Sequence, residues 1–184
     1  MTLLEEVSPE ILRESSTPVL ETERLILRRL EMGDLDDLAR LYADPEVRRH
    51  FPEGVLSREE TQEELEWFLN GHPERSELGL WATIHRATGV FIGRCGLLPW
   101  DIDGVAEVEV AYLIDPEYQG QGLATEAAAG VRDHAFDALG LERLICLITP
   151  GNDASVRVAE KIGMRFEREG SDDEGPYLLY SRAR

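Results

Sequence analysis

Apolar residues in this chain recur at two different periods, and the period changes from segment to segment. Four apolar residues after Gly33 lie three or four positions apart and define one helical face: Leu35, Leu38, Leu41 and Tyr42. This spacing predicts an amphipathic helix. Ser57 and Glu60 then have the spacing of a capping box, so a second helix is predicted to begin at Ser57.

Short apolar runs bounded by turn-forming residues predict the strands. They occupy residues 25–30, 80–85, 90–97, 106–114, 143–148, 164–167 and 177–181. The turn Ala-Thr-Gly at residues 87–89 is short enough to join the second and third runs as an antiparallel hairpin. Two later helices are predicted at residues 123–139 and 154–162, and each ends at a glycine, Gly140 and Gly163.

The order of these elements, β-αα-βββ-α-β-α-ββ, combines an antiparallel front with one right-handed β-α-β crossover. It predicts an α/β (mixed α+β) fold, in which a mixed, mostly antiparallel sheet of about seven strands is flanked by about four helices. Residues 21–184 contain no repeat or linker and are predicted to form one domain. Residues 1–20, which Pro9 interrupts, are predicted to be an N-terminal extension.

The junction between the strand ending at Ile114 and the helix beginning at Leu123 indicates an anion-binding site. Gly120 and Gly122 lack a Cβ, so the backbone turns sharply and a ligand approaches its N–H groups. The helix N-terminus adds unpaired donors and the positive end of a dipole. A P-loop is excluded because no lysine follows Gly122, and a dinucleotide fingerprint fails at its third glycine, where Thr125 stands.

The same loop resembles the coenzyme A signature of the GNAT acetyltransferases, Q/R-x-x-G-x-G/A. Gln119, Gly122 and Ala124 stand at its three specified positions. A second segment resembles the family's N-x-x-S/A pattern and its closing E-K-x-G-F/M. Asn152 begins that segment, and residues 160–164 close it.

Residues 109–114 and 122–127 also resemble the branch of the family that acetylates N-terminal amines of ribosomal proteins. The resemblance implies acetyl-CoA as co-substrate and acetyl transfer to a primary amine, such as a protein N-terminus, by direct attack on the thioester. Two alternatives stay open. One is a small-molecule (antibiotic or polyamine) acetyltransferase, and the other is a non-catalytic acyl-CoA-binding module, because Ala159 replaces a tyrosine acid found in many members.

The resemblance further implies how the co-substrate is held. The strand ending at Ile114 and the strand beginning at Arg143 splay apart in this family, and the pantetheine arm fills the gap. The residues implied in binding are Leu113 and Ile114 beside the arm, Asn152 on its other side, and the loop and helix start Gln119, Gly120, Gln121, Gly122, Leu123, Ala124 and Thr125.

Acetyl transfer to an amine needs a base, an oxyanion donor and a proton for the leaving thiolate. Glu107 and Glu109 share one strand face, and Glu109 matches an acidic position frequent in the family. A buried Glu109 would have a raised pKa and act as the base; the alternatives are a solvated face or an anchor for arginine. The oxyanion donor is expected to be a backbone N–H near Leu113, and Ser155 is either the thiolate's proton donor or only a helix cap.

Composition restricts the partners. The formal net charge of −18 disfavours nucleic acid and anionic membranes, and it either attracts cationic molecules or simply favours solubility. Neither a membrane-spanning run of about 20 residues nor a basic signal-peptide start is present, so a cytoplasmic location is predicted. The partners expected are acetyl-CoA and an amine acceptor, in a monomer or homodimer.

The remaining chemistry-bearing residues have structural interpretations. Cys95 and Cys146 lie in apolar runs without C-x-x-C spacing, which predicts buried thiols. The four histidines have no mutual metal-ligand spacing, so no metal is expected. Trp67 and Trp100 are predicted either to border the acceptor pocket, beside a loop at residues 99–104, or to belong to the core or its rim.

Overall fold

The structure, a computed structural model, describes residues 17–184. Its strands are β1 Pro18–Glu21, β2 Leu25–Arg29, β3 Gly79–His85, β4 Val90–Ile102, β5 Val105–Ile114, β6 Arg143–Ile148, β7 Arg165–Asp172 and β8 Gly175–Ala183. Its α-helices are α1 Leu35–Tyr42, α2 Pro45–Arg48, α3 Arg58–Phe68, α4 Leu123–Asp137 and α5 Asp153–Lys161. The strands form one sheet in the order β1-β2-β3-β4-β5-β6-β8-β7.

The predicted fold class is confirmed. Strands β5 and β6 are parallel, and the other neighbouring strands of the described chain are antiparallel. Strand β1, which the apolar pattern did not predict, pairs with β2 and crosses the predicted boundary between residues 20 and 21. The rest of the predicted extension, residues 1–16, lies outside the described part of the chain.

The hairpin between β4 and β5 differs from the prediction. Residues 99–104 were predicted to be a loop, but β4 continues to Ile102 and pairs with β5 along its whole length. Only Asp103 and Gly104 form the turn, with φ of 55° and 81°. An Asp-Gly pair at positive φ is the usual two-residue hairpin turn, because its twist matches that of the strands. The prediction of a loop was wrong because the strand continues through Pro99, which is paired with Val108.

The helices cover both faces of the sheet. Helices α4 and α5 pack on one face, over a cluster that includes Leu97, Val110 and Ile148. Helices α1 and α3 pack on the other face, where Leu38 and Leu65 are almost fully buried. The predicted helical face of α1 and the capping box of α3 are both confirmed.

The predicted burial of the two thiols is also confirmed, since Cys95 and Cys146 are free and buried. Burial raises the pKa of the Cys95 thiol to about 12, so this group stays protonated at neutral pH. No helix within residues 17–184 is long and apolar enough to cross a membrane. The cytoplasmic location stays a prediction.

Candidate active site

A gap opens in the middle of the sheet between β5 and β6. The two strands share one paired register, Glu109 with Ile145. Beyond it, towards Ile114, β5 has no paired neighbour on that side among residues 17–184. The gap lies where the sequence predicted that the two strands would splay apart.

The unbroken register of β4 and β5 determines which backbone groups face this gap. The Asp115 N–H donates to the Ile92 carbonyl of β4 at 2.8 Å. Because successive residues of a strand direct their N–H and C=O groups to opposite sides, Leu113 also faces β4. Tyr112 and Ile114 therefore direct their backbone groups towards the gap.

The loop that follows β5 presents a row of unpaired donors. Within residues 17–184, the backbone N–H groups of residues 120–125 have no hydrogen-bond acceptor. The first bond of α4 runs from the Glu126 N–H to the Gly122 carbonyl, at 3.0 Å. The Gln119 side chain donates to the Ile114 carbonyl at 2.9 Å and ties the loop to the end of β5. Such a row of N–H groups at a helix N-terminus suits a phosphate.

Two glycines give this loop its shape. Gly120 and Gly122 have φ of 74° and 79°, a conformation that other L-residues rarely adopt. A Cβ at Gly120 would meet no atom within 4 Å, so backbone conformation and not space requires glycine there. Leu123, the first residue of α4, is buried in the core and anchors the helix start.

An arginine that the sequence reasoning missed lies against the same loop. Arg24 donates to the Gln121 carbonyl at 2.9 Å and to the Glu126 carboxylate at 2.6 Å. Glu126 also accepts from the Arg24 backbone N–H at 2.7 Å. The first turn of α4 is therefore fastened to the start of β2, and a cation lies beside the predicted anion site. No local pattern around Arg24 signals this role, because its partners are about a hundred residues away in sequence.

A cavity of about 610 Å³ lies beside the gap. It is bounded by the segment after α2, by α3, by β4, β5 and β6, and by the turn between β7 and β8. Three predicted site residues meet there, Glu109, Asn152 and Ser155. Trp67 and Trp100 also line the cavity. That this cavity holds the acceptor stays a prediction.

Glu109 holds an unusual position in the wall of this cavity. Its carboxylate accepts from Trp100 Nε1 at 2.7 Å and from the Leu147 backbone N–H of β6 at 3.2 Å. Burial raises the pKa of Glu109 to about 7, although these two hydrogen bonds and the charge of Arg94 act in the opposite direction. A carboxylate with a pKa near 7 is suited to accept a proton at neutral pH.

Glu107 lies on the same strand face but has a different environment. Both of its oxygens accept from Arg143 Nε, at 3.0 and 3.1 Å, and Arg143 also bonds Glu167. The arginine-anchor interpretation therefore applies to Glu107. Glu109 has no arginine within salt-bridge distance among the described residues.

The far side of the cavity is formed by the N-terminal turn of α5. Asn152 caps this helix, and its Oδ1 accepts from the Ser155 N–H at 3.2 Å. The Ser155 carbonyl accepts from the Tyr112 hydroxyl at 2.8 Å. The Ser155 hydroxyl has no partner within residues 17–184, so it is available to a ligand. Ala159, by contrast, is completely buried in the core and does not reach the cavity.

A buried cation in the cavity wall was also missed from the sequence. Arg94, on β4, is 6% exposed and donates through Nε to the Tyr42 hydroxyl. The signal was present, because Arg94 interrupts an otherwise apolar run at residues 90–97, where a charged residue is rare without a partner or a function. In the part of the chain that the structure describes, no three His, Cys, Asp or Glu side chains are grouped to hold a metal.

Comparison with known proteins assigns this architecture to a family. Residues 24–165 match the family described as Acetyltransferase (GNAT) domain. The chain belongs to the GNAT acetyltransferases. The superfamily-level resemblance of the loop and of the α5 segment is therefore confirmed, and the protein is an N-acetyltransferase.

Full-length relatives and solved structures agree with this assignment. The chain is 34% identical over 168 residues to the uncharacterized protein YkkB of Bacillus subtilis, covering 89% of this chain and 94% of YkkB. A crystal structure of an acetyltransferase from Agrobacterium tumefaciens superimposes with a TM-score of 0.74 at 29% identity, covering 92% of this chain and 96% of that one.

Two shorter matches carry names that mention acceptors. YdaF of Bacillus subtilis, whose name assigns it provisionally to ribosomal N-acetylation, is 34% identical over 86 residues, 46% of each chain. The spermidine N(1)-acetyltransferase of Escherichia coli K12 is 38% identical over 61 residues, 33% of each chain. Each match covers less than half of this GNAT chain.

The raised pKa of Glu109 predicts a dependence of stability on pH. Its folded-state pKa of about 7 lies above the ordinary value of 4.5, so its stabilising contribution is complete below about pH 4.5 and is lost as pH rises through 7. Glu109→Gln does not ionise and should gain stability relative to wild type over this interval, by up to about 3 kcal/mol.

Urea unfolding at pH 5 and pH 8 measures this difference. Glu63→Gln, on the exposed face of α3, is the control, because it also removes one charge from an acidic protein but changes no buried group. A stability difference between Glu109→Gln and wild type that is the same at both pH values, or that matches the control, would contradict the prediction.

Proposed function

We propose that the protein transfers the acetyl group of acetyl-CoA to the α-amine of a peptide or protein N-terminus, by direct attack on the thioester. The observation that carries the proposal is Glu109, a carboxylate with a pKa near 7 in a cavity wall beside the sheet gap. Its proposed role is that of general base, which removes a proton from the acceptor ammonium directly or through water.

Several features support the binding of acetyl-CoA in this arrangement. The unpaired N–H groups of residues 120–125, the N-terminus of α4 and the Arg24 guanidinium suit the pyrophosphate. The gap between β5 and β6 suits the pantetheine arm, with the backbone of Ile114 on one side and Asn152 on the other. Compared with the binding residues that the resemblance implies, this proposal adds Arg24 and leaves out Leu113, whose backbone groups face β4.

The tetrahedral intermediate needs a hydrogen-bond donor for its oxyanion, typically worth about 2.7–4 kcal/mol. The sequence indicated a backbone N–H near Leu113. Since Leu113 directs its own N–H to β4, we assign the donor to its neighbours Tyr112 and Ile114, whose backbone groups face the gap. Ser155, with an unpaired hydroxyl in the same cavity, is the proposed proton donor for the leaving thiolate.

The acceptor is proposed from the match of pKa values between base and amine. An α-amine has a pKa near 7.8 and a lysine side chain near 10.4. Proton transfer to Glu109, whose pKa is about 7, is uphill by about 1 kcal/mol from an α-ammonium but by roughly 4.6 kcal/mol from a lysine ammonium. The base is therefore suited to an α-amine.

A second candidate acceptor is a small cationic amine. The observation that favours it is a group of carboxylates at the cavity, Glu53, Asp172 and Glu174, whose mutual repulsion adds to burial in raising the pKa of Glu174. Partial similarity to a spermidine acetyltransferase agrees with this candidate, and partial similarity to YdaF agrees with a protein N-terminus.

Acetyl-CoA is predicted to stabilise the folded protein. At a concentration 100 times its Kd, a ligand adds about 2.7 kcal/mol, which for a domain of this size raises Tm by about 5–10 °C. Gly122→Asp should abolish most of this increase, because φ at this position is 79° and the new carboxylate repels the pyrophosphate.

Differential scanning fluorimetry with and without acetyl-CoA tests this prediction. Gly140→Asp is a matched control, since Gly140 also has positive φ and open space around it but lies at the other end of α4. An unchanged Tm for wild type at saturating acetyl-CoA, together with equal responses of the two variants, would remove the cofactor assignment.

Glu109→Gln is predicted to lower kcat by about 10² to 10⁴-fold while acetyl-CoA affinity changes little, because the carboxylate acts on the acceptor and not on the cofactor. The rise of kcat/KM with pH through about 7 should disappear. Glu107→Gln is the control on the same strand face. Release of coenzyme A thiol is the readout, and an equal rate and pH profile for Glu109→Gln would leave solvent as the base.

The acceptor assignment predicts acetylation of peptide N-termini ahead of internal lysines. Peptides that carry one α-amine and one lysine should be acetylated at the α-amine at least tenfold faster at pH 7, as measured by mass spectrometry of fragments. Peptides with a blocked N-terminus and free spermidine are the controls. Acetylation confined to lysine would contradict the α-amine, and rapid turnover of spermidine alone would establish the second candidate.

A further inference from the structure

The cavity contains a second charged group that the proposed chemistry does not use. Arg94 is 94% buried and faces the cavity from β4, on the same face of the sheet as Glu109. Such a charge is costly to bury without a partner. The contacts of its guanidinium therefore decide whether it is structural or ready for a ligand.

Those contacts engage only part of the guanidinium. Nε donates to the Tyr42 hydroxyl, which in turn donates to Glu64 Oε1 at 2.6 Å. The nearest carboxylate oxygen, Glu64 Oε1, is 4.0 Å from Nε. The two terminal nitrogens have no hydrogen-bond acceptor within residues 17–184. A guanidinium offers five N–H donors, so most of the donor capacity of Arg94 is unused.

The terminal nitrogens of Arg94 are not sealed in the core. In the described chain, one side-chain N or O atom is both fully buried and without a hydrogen-bond partner, and that atom is Thr83 Oγ1, not a nitrogen of Arg94. The unpaired nitrogens of Arg94 are therefore not completely buried, and Arg94 lines the cavity. The neighbouring Arg48 differs, because it already bonds the Gly54 carbonyl at 2.7 Å and Glu53 at 3.1 Å.

The charges of the cavity are separated along the sheet. Glu109 lies at one end, close enough to Glu174 for that carboxylate to help raise its pKa. Arg94 lies further along the sheet, beside Tyr42 of α1, and its charge lowers the pKa of Glu109. Between them on this face of the sheet lie Gly96 and Ala111, and Ala111 lines the cavity. A cavity with a carboxylate at one end and an unpaired guanidinium at the other complements a ligand that carries both an amine and an anion.

We propose that Arg94 binds a carboxylate on the acceptor, so that the preferred acceptor is a peptide with a free α-amine at Glu109 and an acidic side chain at Arg94. The proposal rests on the acetyl transfer to α-amines proposed above and specifies its substrate class. A carboxylate held by the two terminal nitrogens would make the paired, charge-assisted bonds for which arginine is best suited.

The span of the site determines where the carboxylate belongs. Arg94 pairs with Leu113, which is four residues from Glu109 along β5, or about 13 Å at ~3.4 Å per residue. Measured along the backbone, this span exceeds the few ångströms between the amine and carboxylate of a free α-amino acid. We therefore place the acidic side chain at the second or third residue of the peptide.

Matched peptides test the proposal. One series carries Glu at the second or third residue, and its twin carries Gln. In wild type, kcat/KM for the Glu peptide should exceed that for its twin about tenfold. The ratio should fall to near one in Arg94→Met and be partly kept in Arg94→Lys. Arg58→Met, on the exposed start of α3, is the control and should keep the wild-type ratio.

The outcomes separate the two proposals. A wild-type ratio of one, a ratio that persists in Arg94→Met, or faster turnover of spermidine than of any acidic peptide would overturn the role of Arg94 and leave acetyl transfer intact. If no amine is acetylated, acetyl transfer to α-amines fails, and calorimetric binding of the Glu peptide against its twin still tests Arg94. If Arg94→Met does not fold, two other measurements test the role of Arg94. They are the peptide ratio in Arg94→Lys and competitive inhibition of wild type by an N-acetylated Glu peptide.

Discussion

The site depends on one constraint, that β5 and β6 of the described chain pair at one residue of each strand. Two parallel strands that stayed side by side along their whole length would pair their backbone groups and leave no gap in the sheet. Here the pairing stops at Glu109 and Ile145, so the backbone of Tyr112 and Ile114 faces an opening. Buried N–H and C=O groups require partners. We therefore propose that the opening binds a ligand able to hydrogen-bond like a strand, such as the amide-containing pantetheine arm.

Glu109 links this gap to the chemistry. Its carboxylate accepts from the Leu147 N–H, a group of β6 that a continuous sheet would pair with β5. The same carboxylate is held by Trp100 and carries a pKa near 7 because it is buried. Glu107, two residues away on the same face, is neutralised by Arg143 instead. Strand divergence thus gives two similar carboxylates different environments: Glu107 anchors Arg143, and Glu109 is the group that we propose as the base.

The anion loop and the acceptor cavity are held by contacts between distant parts of the chain. Arg24 and Glu126 join the start of β2 to the first turn of α4, and so fix the direction in which the unpaired N–H groups of the loop point. On the opposite face, α1 supplies Tyr42 to orient Arg94. The same helices that cover the core therefore position charges at both ends of the site. In an acidic protein, Arg24 and Arg94 are the groups that we propose to bind negative charge on the ligands.

The sequence by itself determined the local features: the element order, the helical face of α1, the glycine loop after β5, the capping box at Ser57 and the candidate base Glu109. Each of these depends on residues that are neighbours in the chain, so spacing and backbone preference are sufficient. Prediction from the sequence failed at Pro99, which lies within the long strand β4. It also failed at β1, whose position depends on its pairing with β2. Tertiary structure alone decided the different environments of Glu107 and Glu109, the direction of the Leu113 backbone, and the positions of Arg24 and Arg94. These depend on register and on partners far away in sequence. Only Arg94 had a local signal, a charge within an apolar run, and that signal did not identify its partners.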